Sequence, residues 1–460
     1  FTELINERFG QFTGALYQHP RVTVYNEEAR GFVAAGGQRY DLIQVALLDS
    51  FNASSAGLYA LSENYLYTQE AFAVYLEHLQ PGGILGITRW TKIPPRDSLK
   101  IFATAIAALR QAGAARPGRN LLMIRSWNTS TLLVKNEAFS NEEVEGLKTF
   151  CRERWFDLVY YPGIAPGEAN RYNQLQEPWY FKGAQALLGA GRDRFLDEYK
   201  FDIHPTTDDK PYFSRFLKLQ TLPELLGLKE RGGLPLLEWG YLVLIATLLL
   251  AVTASVLLVL LPLWLRRSSA PGERGLQWRF LVYFAAVGTA FMFVEIAFIQ
   301  KFILFLHHPL YAVSVVLCFF LVFAGLGSWV SARWWAHVSR PLISTGIGVI
   351  AVLYTLALPG LFEHLALVST LARILVSALL IAPLAFLMGM PFPLGLDVVA
   401  QRLPSWIPWA WGINGSASVV GTILAMLLAI HVGFVMVVYL AVALYLLAAL
   451  VLKSASGLEA

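Results

Sequence analysis

The sequence predicts a two-part chain: a soluble α/β domain organised around a strand–helix–strand unit, followed by an all-α polytopic transmembrane bundle. Three observations predict it. Residues 40–90 read as two short apolar runs flanking a stretch of helical periodicity. Charged residues make up 15% of the 460 and are concentrated in residues 1–235, thinning out over 236–460. Beyond residue 240 come seven apolar stretches, each able to cross roughly 30 Å of hydrocarbon at about 20 residues.

Composition supports the same division. A soluble domain averages about 25% charged residues, and this chain, 56% hydrophobic, falls well below that. The net charge of +4 comes from basic residues that do not cluster, which argues against a nucleic-acid partner. Of the two cysteines, Cys151 lies in the soluble part and Cys318 in an apolar helix, so neither a disulfide framework nor a cysteine metal site is on offer. The chain opens on Phe1 with no visible signal peptide, and is expected to be processed or cut from something longer.

In order, residues 1–12 have helical spacing, 22–25 read as a short strand, and 32–35 as a short helix closed by Gly36-Gly37. Residues 42–48 form an apolar run, the mark of a strand buried on both faces. Asp49 and Ser50 follow at its carboxyl end. Helix 68–79 places Phe72, Leu76 and Leu79 on one face and ends at the turn signal Gln80-Pro81-Gly82-Gly83. Strand 84–88 then completes a parallel crossover unit, whose ligands sit at the carboxyl ends of the strands. Asp97-Ser98 is expected to cap a helix to about 112, residues 120–124 and 131–134 to form an antiparallel edge pair, Asn141 to cap a helix to about 154, and 157–160 to add a strand.

The membrane stretches run approximately over 240–265, 279–305, 310–332, 342–362, 370–395, 407–430 and 432–452. Small residues at packing spacing (Ala324 and Ser328, Gly327 and Ser331, Ala417 and Gly421) let backbones approach closely. Glu295 is the sharpest residue of this half. A carboxylate in a spanning helix is costly and faces a partner or water, so it reads either as a proton or cation site or as a structural hydrogen-bonding group with Asn414 or Gln300 as partner. Residues 389–395 hold two prolines, so the helix kinks or breaks there, either to line a transport site or only to bend.

Taken together, these stretches resemble a known family. Residues 40–90, with His19-Pro20-Arg21-Val22, Glu28-Ala29-Arg30 and Thr207-Asp208-Asp209-Lys210-Pro211-Tyr212-Phe213, resemble the spermidine/spermine synthase family, a branch of the class I S-adenosylmethionine methyltransferase-like fold. The blocks FMFVEI at 291–296, GMPFPLG at 389–395 and WGING at 411–415 resemble its multi-pass membrane relatives. The resemblance implies a Rossmann-like, methyltransferase-type domain that is N-terminally incomplete, because the family's glycine-rich loop precedes the point where this chain begins. It implies S-adenosylmethionine or its decarboxylated form as co-substrate, with Glu28 on the adenine amino group and the Ala29 backbone on a ring nitrogen. The family carries two acidic residues at the end of the first strand of the unit. Here Ala46 stands at the first position and Asp49 at the second, and a methyl group accepts no proton. Asp49 is therefore the candidate catalytic residue, against the alternative of a turn cap. Ser50 is the candidate substrate contact. Asp208-Asp209 reads as a turn or a metal pair, and His204 as structural.

Three functions remain in view. One is a membrane-anchored transferase acting on an amine. Another is a polyamine or small-molecule transporter or sensor whose synthase-like domain does not turn over. The third is a scaffold with a degenerate enzyme fold. The expected location is integral and multi-pass, in a bacterial inner membrane, with the bilayer as partner. Arg266, Arg267, Arg274, Arg279, Arg333, Arg340, Arg402 and Lys453 share one side, against Lys301 and Arg373 on the other. Positive loops favour the cytoplasm, so seven spans put the soluble domain outside, where S-adenosylmethionine is not expected. The side of the soluble domain stays open.

Overall fold

The computed structural model describes residues 2–47, 63–221, 239–265, 274–333, 340–365 and 368–456. The soluble half contains α1 (Thr2–Glu7), α2 (Ala29–Ala35), β1 (Tyr40–Val45), α3 (Gln69–Glu77), β2 (Leu79–Trp90), α4 (Asp97–Gln111), β3 (Leu121–Arg125), β4 (Thr129–Val134), α5 (Asn141–Arg154), β5 (Asp157–Tyr160), α6 (Trp179–Leu188) and α7 (Arg192–Glu198). The strands form one mixed sheet in the order β1-β2-β4-β3-β5. β1 and β2 are parallel, with α3 between them, as the periodicity predicts. All other pairings are antiparallel.

Several expectations need correction. β1 is not buried on both faces: it lies at one edge of the sheet, and Leu42 is 57% exposed. The β3–β4 pair is antiparallel but internal, because β4 bonds to β2 and β5 takes the other edge. Residues 22–25 form no strand: among the described residues no neighbour pairs with them in a ladder. α1 stops at Glu7, and Phe9 and Phe12 beyond it stay exposed. A short helix with no surface to cover gains nothing from lengthening. Two caps are one residue off. Arg96, without a side-chain bond, precedes α4, and Ser140 rather than Asn141 caps α5 in a capping box with Glu143. The core lies between the sheet and α3, α4 and α6, around Phe72, Leu85, Ile87, Phe102 and Leu132.

The second half contains α8 (Trp239–Ala254), α9 (Leu261–Leu265), α10 (Arg274–Leu306), α11 (Pro309–Arg333), α12 (Arg340–His364), α13 (Thr370–Met388), α14 (Pro391–Arg402), α15 (Ile407–Val432) and α16 (Phe434–Ser456). Among the described residues they make seven stretches long and apolar enough to cross a membrane, so the chain reads as a multi-pass membrane protein. α10 is the central one: 61% of its apolar window is buried, against 0% for Gly240–Leu265. The fifth stretch is broken at Gly389-Met390, ahead of Pro391. A Cβ on Gly389 would collide with the Ala324 carbonyl, and one on Gly327 with that of Phe386, so α11 and α13 touch backbone to backbone. α10 and α15 end and α16 begins where the bundle meets the first half, α11 starts there directly after α10, and α14 leads into the far end of α15. The ends carrying Arg274, Arg279, Arg333, Arg402 and Lys453 therefore lie opposite the soluble half, and Arg279 bonds the Ser454 carbonyl there at 2.7 Å.

Candidate functional site at the seam between the halves

α2 and α3 each run into the strand that follows, so both helices begin at the carboxyl-end face of β1 and β2. That is the face where open α/β sheets take ligands. In this protein it is turned toward the end of the bundle.

The contacts are specific. Arg30, in the first turn of α2, grips Asp208 with both terminal nitrogens at 2.6 and 2.7 Å. Thr68, which caps α3, donates to the same carboxylate at 2.7 Å, and the Asp208 N–H donates to Glu70 at 3.0 Å. Burial works against the Arg30 charge, but the hydrogen bonds and attraction of Asp208 overcome it and hold Arg30 above its usual range. Burial, then the nearby Asp208 charge, pushes Glu70 up.

The neighbouring Asp209 faces the other way. Its carboxylate accepts the Val435 N–H at 2.8 Å and its carbonyl the Phe434 N–H at 3.2 Å, so it caps α16. Lys210 and Arg215 donate to the carbonyls of His431 and Ile430 at 3.1 and 3.2 Å, at the C-terminus of α15, where the helix dipole favours cations. The Asp208-Asp209 pair is a turn, closed by a Thr207–Lys210 bridge, that latches the two halves. A Cβ on Gly31 would collide with the His307 ring at the end of α10. Burial, with Arg373 and Arg30 nearby, pushes His307 down to about 4.

A second cluster sits beside this latch. Gln300 of α10 donates to Glu63 at 3.0 Å, and Tyr212 approaches the same oxygen at 3.5 Å. The Tyr65 hydroxyl donates to the Gln300 carbonyl at 3.2 Å. Burial pushes Glu63 up, and it pushes Tyr65 and Tyr212 well up.

Asp49 and Ser50 lie outside the described residues. Their flanks do not: the chain leaves β1 through Ala46 and Leu47 and rejoins at Glu63-Asn64, where the Asn64 N–H bonds the Pro211 carbonyl at 2.7 Å. The Glu28 carboxylate caps α2, accepting the N–H groups of Arg30 and Gly31 at 3.2 and 2.7 Å, and Ala29 is the exposed first residue of that helix. His204 bonds Asp202 at 2.9 Å. Glu295 is buried in α10, and neither expected partner reaches it. Asn414 lies against Gly288, about two turns away, and Gln300 faces Glu63. Reading by sequence passed over Glu63, Arg30 and Tyr65 because the partners that place them at the seam, Tyr212, Asp208 and Gln300, are 149 to 237 residues distant; the signal for Arg30 was its place in the Glu28-Ala29-Arg30 block.

No family model matches the chain, and no curated protein matches it. The fold and the seam define a class: a mixed α/β domain latched onto one end of a seven-span helical bundle.

Proposed function

We propose that the chain is a membrane-anchored, spermidine synthase-like transferase of a bacterial inner membrane. It would take S-adenosylmethionine or its decarboxylated form and an amine acceptor. One observation carries this reading: the ligand-taking face of the parallel β1–β2 pair meets a polar seam rich in carboxylates. The amine lone pair would attack the carbon next to the sulfonium. The C–N bond forms as the C–S bond breaks, the electron pair leaves with the thioether sulfur, and the surplus proton passes to a carboxylate. Asp49 takes that role, Ser50 orients the acceptor, and Ala46 does neither. At the nucleoside end the fit is partial. The Ala29 N–H, at the first helical position, has no intrahelical acceptor, while the Glu28 oxygens already serve α2.

Calorimetry on the complete chain in nanodiscs, with S-adenosylmethionine, its decarboxylated form and spermidine, tests this together with mass detection of product. Asp49→Asn is expected to retain binding and lose product. Failure of both sulfonium compounds to bind sinks the transferase.

A second reading is an amine sensor or transporter that binds without turnover. It is favoured by the basic span ends, which lie opposite the soluble half while positive loops favour the cytoplasm. Labelling single cysteines in the soluble half from each side of the membrane separates the two. Cytoplasmic labelling supports the transferase, and outside labelling supports the sensor.

A further inference from the structure

We propose that Glu295 binds an exchangeable proton inside the bundle, with the Tyr445 hydroxyl as the group that carries the proton to and from it. The site lies in the half of the molecule that the transferase reading leaves unused.

The argument starts from two buried polar groups on neighbouring helices. Glu295 is 4% exposed and stands in an apolar stretch of α10. Among the described residues no hydrogen bond and no cation reaches its carboxylate. An ionised carboxylate in such surroundings is costly, and uptake of a proton removes the charge. The Tyr445 hydroxyl of α16 is fully buried and also has no hydrogen-bond partner. Tyr445 is within electrostatic reach of both Glu295 and Tyr283. Those two are twelve residues apart on α10, about 18 Å along its axis, so Tyr445 stands between them.

The polar row continues toward the end of the bundle opposite the soluble half. The Tyr283 hydroxyl donates to the Pro391 carbonyl, next to the helix break. Tyr283, Ser344, Pro391, Ala448 and Leu452 line a cavity of about 10 Å³, at the lower limit for one water. Ala448 places that cavity one turn of α16 from Tyr445. Toward the soluble half the next turn of α10 is closed by rings, with Phe298 against Phe302, Phe320 and Tyr354. A phenol hydroxyl donates and accepts at once. Tyr445 gives its proton to the carboxylate and takes a replacement from the cavity side, so only O–H bonds form and break.

No other charge faces the carboxyl. Of the helices packed on α10, α16 supplies Tyr445, while Tyr354 of α12 lies beside Phe298 and Tyr439 of α16 approaches Thr355. Arg333, Arg373, Arg402, His431 and Lys453 stand in the first or last turns of their helices, and Asp397 is exposed.

The test is infrared spectroscopy of the complete chain in phosphatidylcholine nanodiscs at neutral pH, before and after exchange into D₂O. The difference between wild type and Glu295→Gln is expected to contain the C=O band of a carboxylic acid, and that band to shift in D₂O. Exposed Glu363→Gln is expected to leave it in place. Tyr445→Phe keeps the ring and the acid, and is expected to slow the exchange about tenfold or more, the loss of one proton-carrying hydroxyl. A membrane-soluble carbodiimide reacts with protonated carboxyls. Its adduct, mapped by mass to Glu295 in wild type and fading as pH rises, carries the test if Glu295→Gln does not fold. The proposal is overturned if the difference spectrum holds no acid band, if the band does not shift in D₂O, or if no adduct forms at Glu295. Exchange as fast in Tyr445→Phe as in wild type overturns it too. None of these readouts depends on transferase activity.

Discussion

The soluble half and the bundle handle buried charge in opposite ways. The soluble half buries Arg89 between the rings of Tyr67 and Phe213, at 4.9 and 5.0 Å, and pairs it with Asp97. Burial alone would raise Asp97, but Lys92, Arg89 and Arg96 overcome it and hold the carboxyl below its ordinary range. Asp157 is fastened by Arg125 and by the N–H groups of Tyr172 and Asn173, each at 2.8 Å. The bundle relies on shape instead: Phe298, Phe302, Phe305 and Phe320 fill its core, and glycines bring its helices into backbone contact. Among its described residues Glu295 is the buried carboxylate, and it stands within an apolar helix. The difference teaches where charge can stand: the two most buried carboxylates of the first half are matched by cations, whereas among the bundle's described residues burial is left mostly to apolar side chains.

Three perturbations bear on that contrast. The largest effect is expected from Asp157→Ala, which strands the Arg125 guanidinium in a site where its side chain is 3% exposed. Breaking a buried pair from one side costs about 3–5 kcal/mol. Denaturant unfolding of the complete chain, followed at the soluble half, should show that loss. A change below about 1 kcal/mol would mean that the pairing is not what stabilises this half.

A smaller effect is expected in the bundle from Gly389→Ala. The new methyl meets the Ala324 carbonyl, which belongs to backbone and cannot rotate away. Overpacking of this kind costs about 1–3 kcal/mol, readable as a lower unfolding temperature of the bundle in detergent. An unchanged midpoint would show that α11 and α13 separate easily.

The smallest effect concerns the seam and is a pH dependence. His307 sits near 4 in the folded protein against an ordinary 6.5, so the unfolded state binds protons first. Its contribution to docking is present above 6.5 and is lost as pH falls through 6.5 toward 4. Limited proteolysis between α7 and α8 should therefore quicken on acidification in wild type, and less so in His307→Gln. Glu63 and Glu70 work in the opposite direction. Their folded carboxyls lie above the ordinary 4.5, so they favour docking at low pH and cease to as pH rises. Equal pH profiles for wild type and His307→Gln would remove the histidine from the seam.

Much of this architecture was legible in the residues, and the limits have physical causes. The run before Asp49 and the periodicity of Phe72 and Leu76 are local signals, and local hydrogen bonding obeyed them in β1 and α3; residues 80–83, expected as a turn between helix and strand, instead lie inside β2, where the register with β1 shifts. The cap before α5 was missed by one residue because Ser140 and Asn141 are both good caps; the Glu143 side chain, reaching back to the Ser140 N–H, decides between them. The exposure of β1 was not legible, since a strand at the sheet edge and one inside it can carry the same apolar run. Glu28 was read for its place in a motif, and the structure adds that its carboxylate caps α2.

Composition and periodicity alone determined that an α/β part precedes seven stretches long and apolar enough to cross a membrane, because apolar length and repeat are written residue by residue. Only the tertiary structure decided that Asp208 serves the soluble half, that Asp209 serves the bundle, and that Gln300 leaves its own helix to meet Glu63. Those pairings join residues 178, 226 and 237 positions apart. No local pattern encodes a partner at that distance; the closing of the two halves on one another creates it.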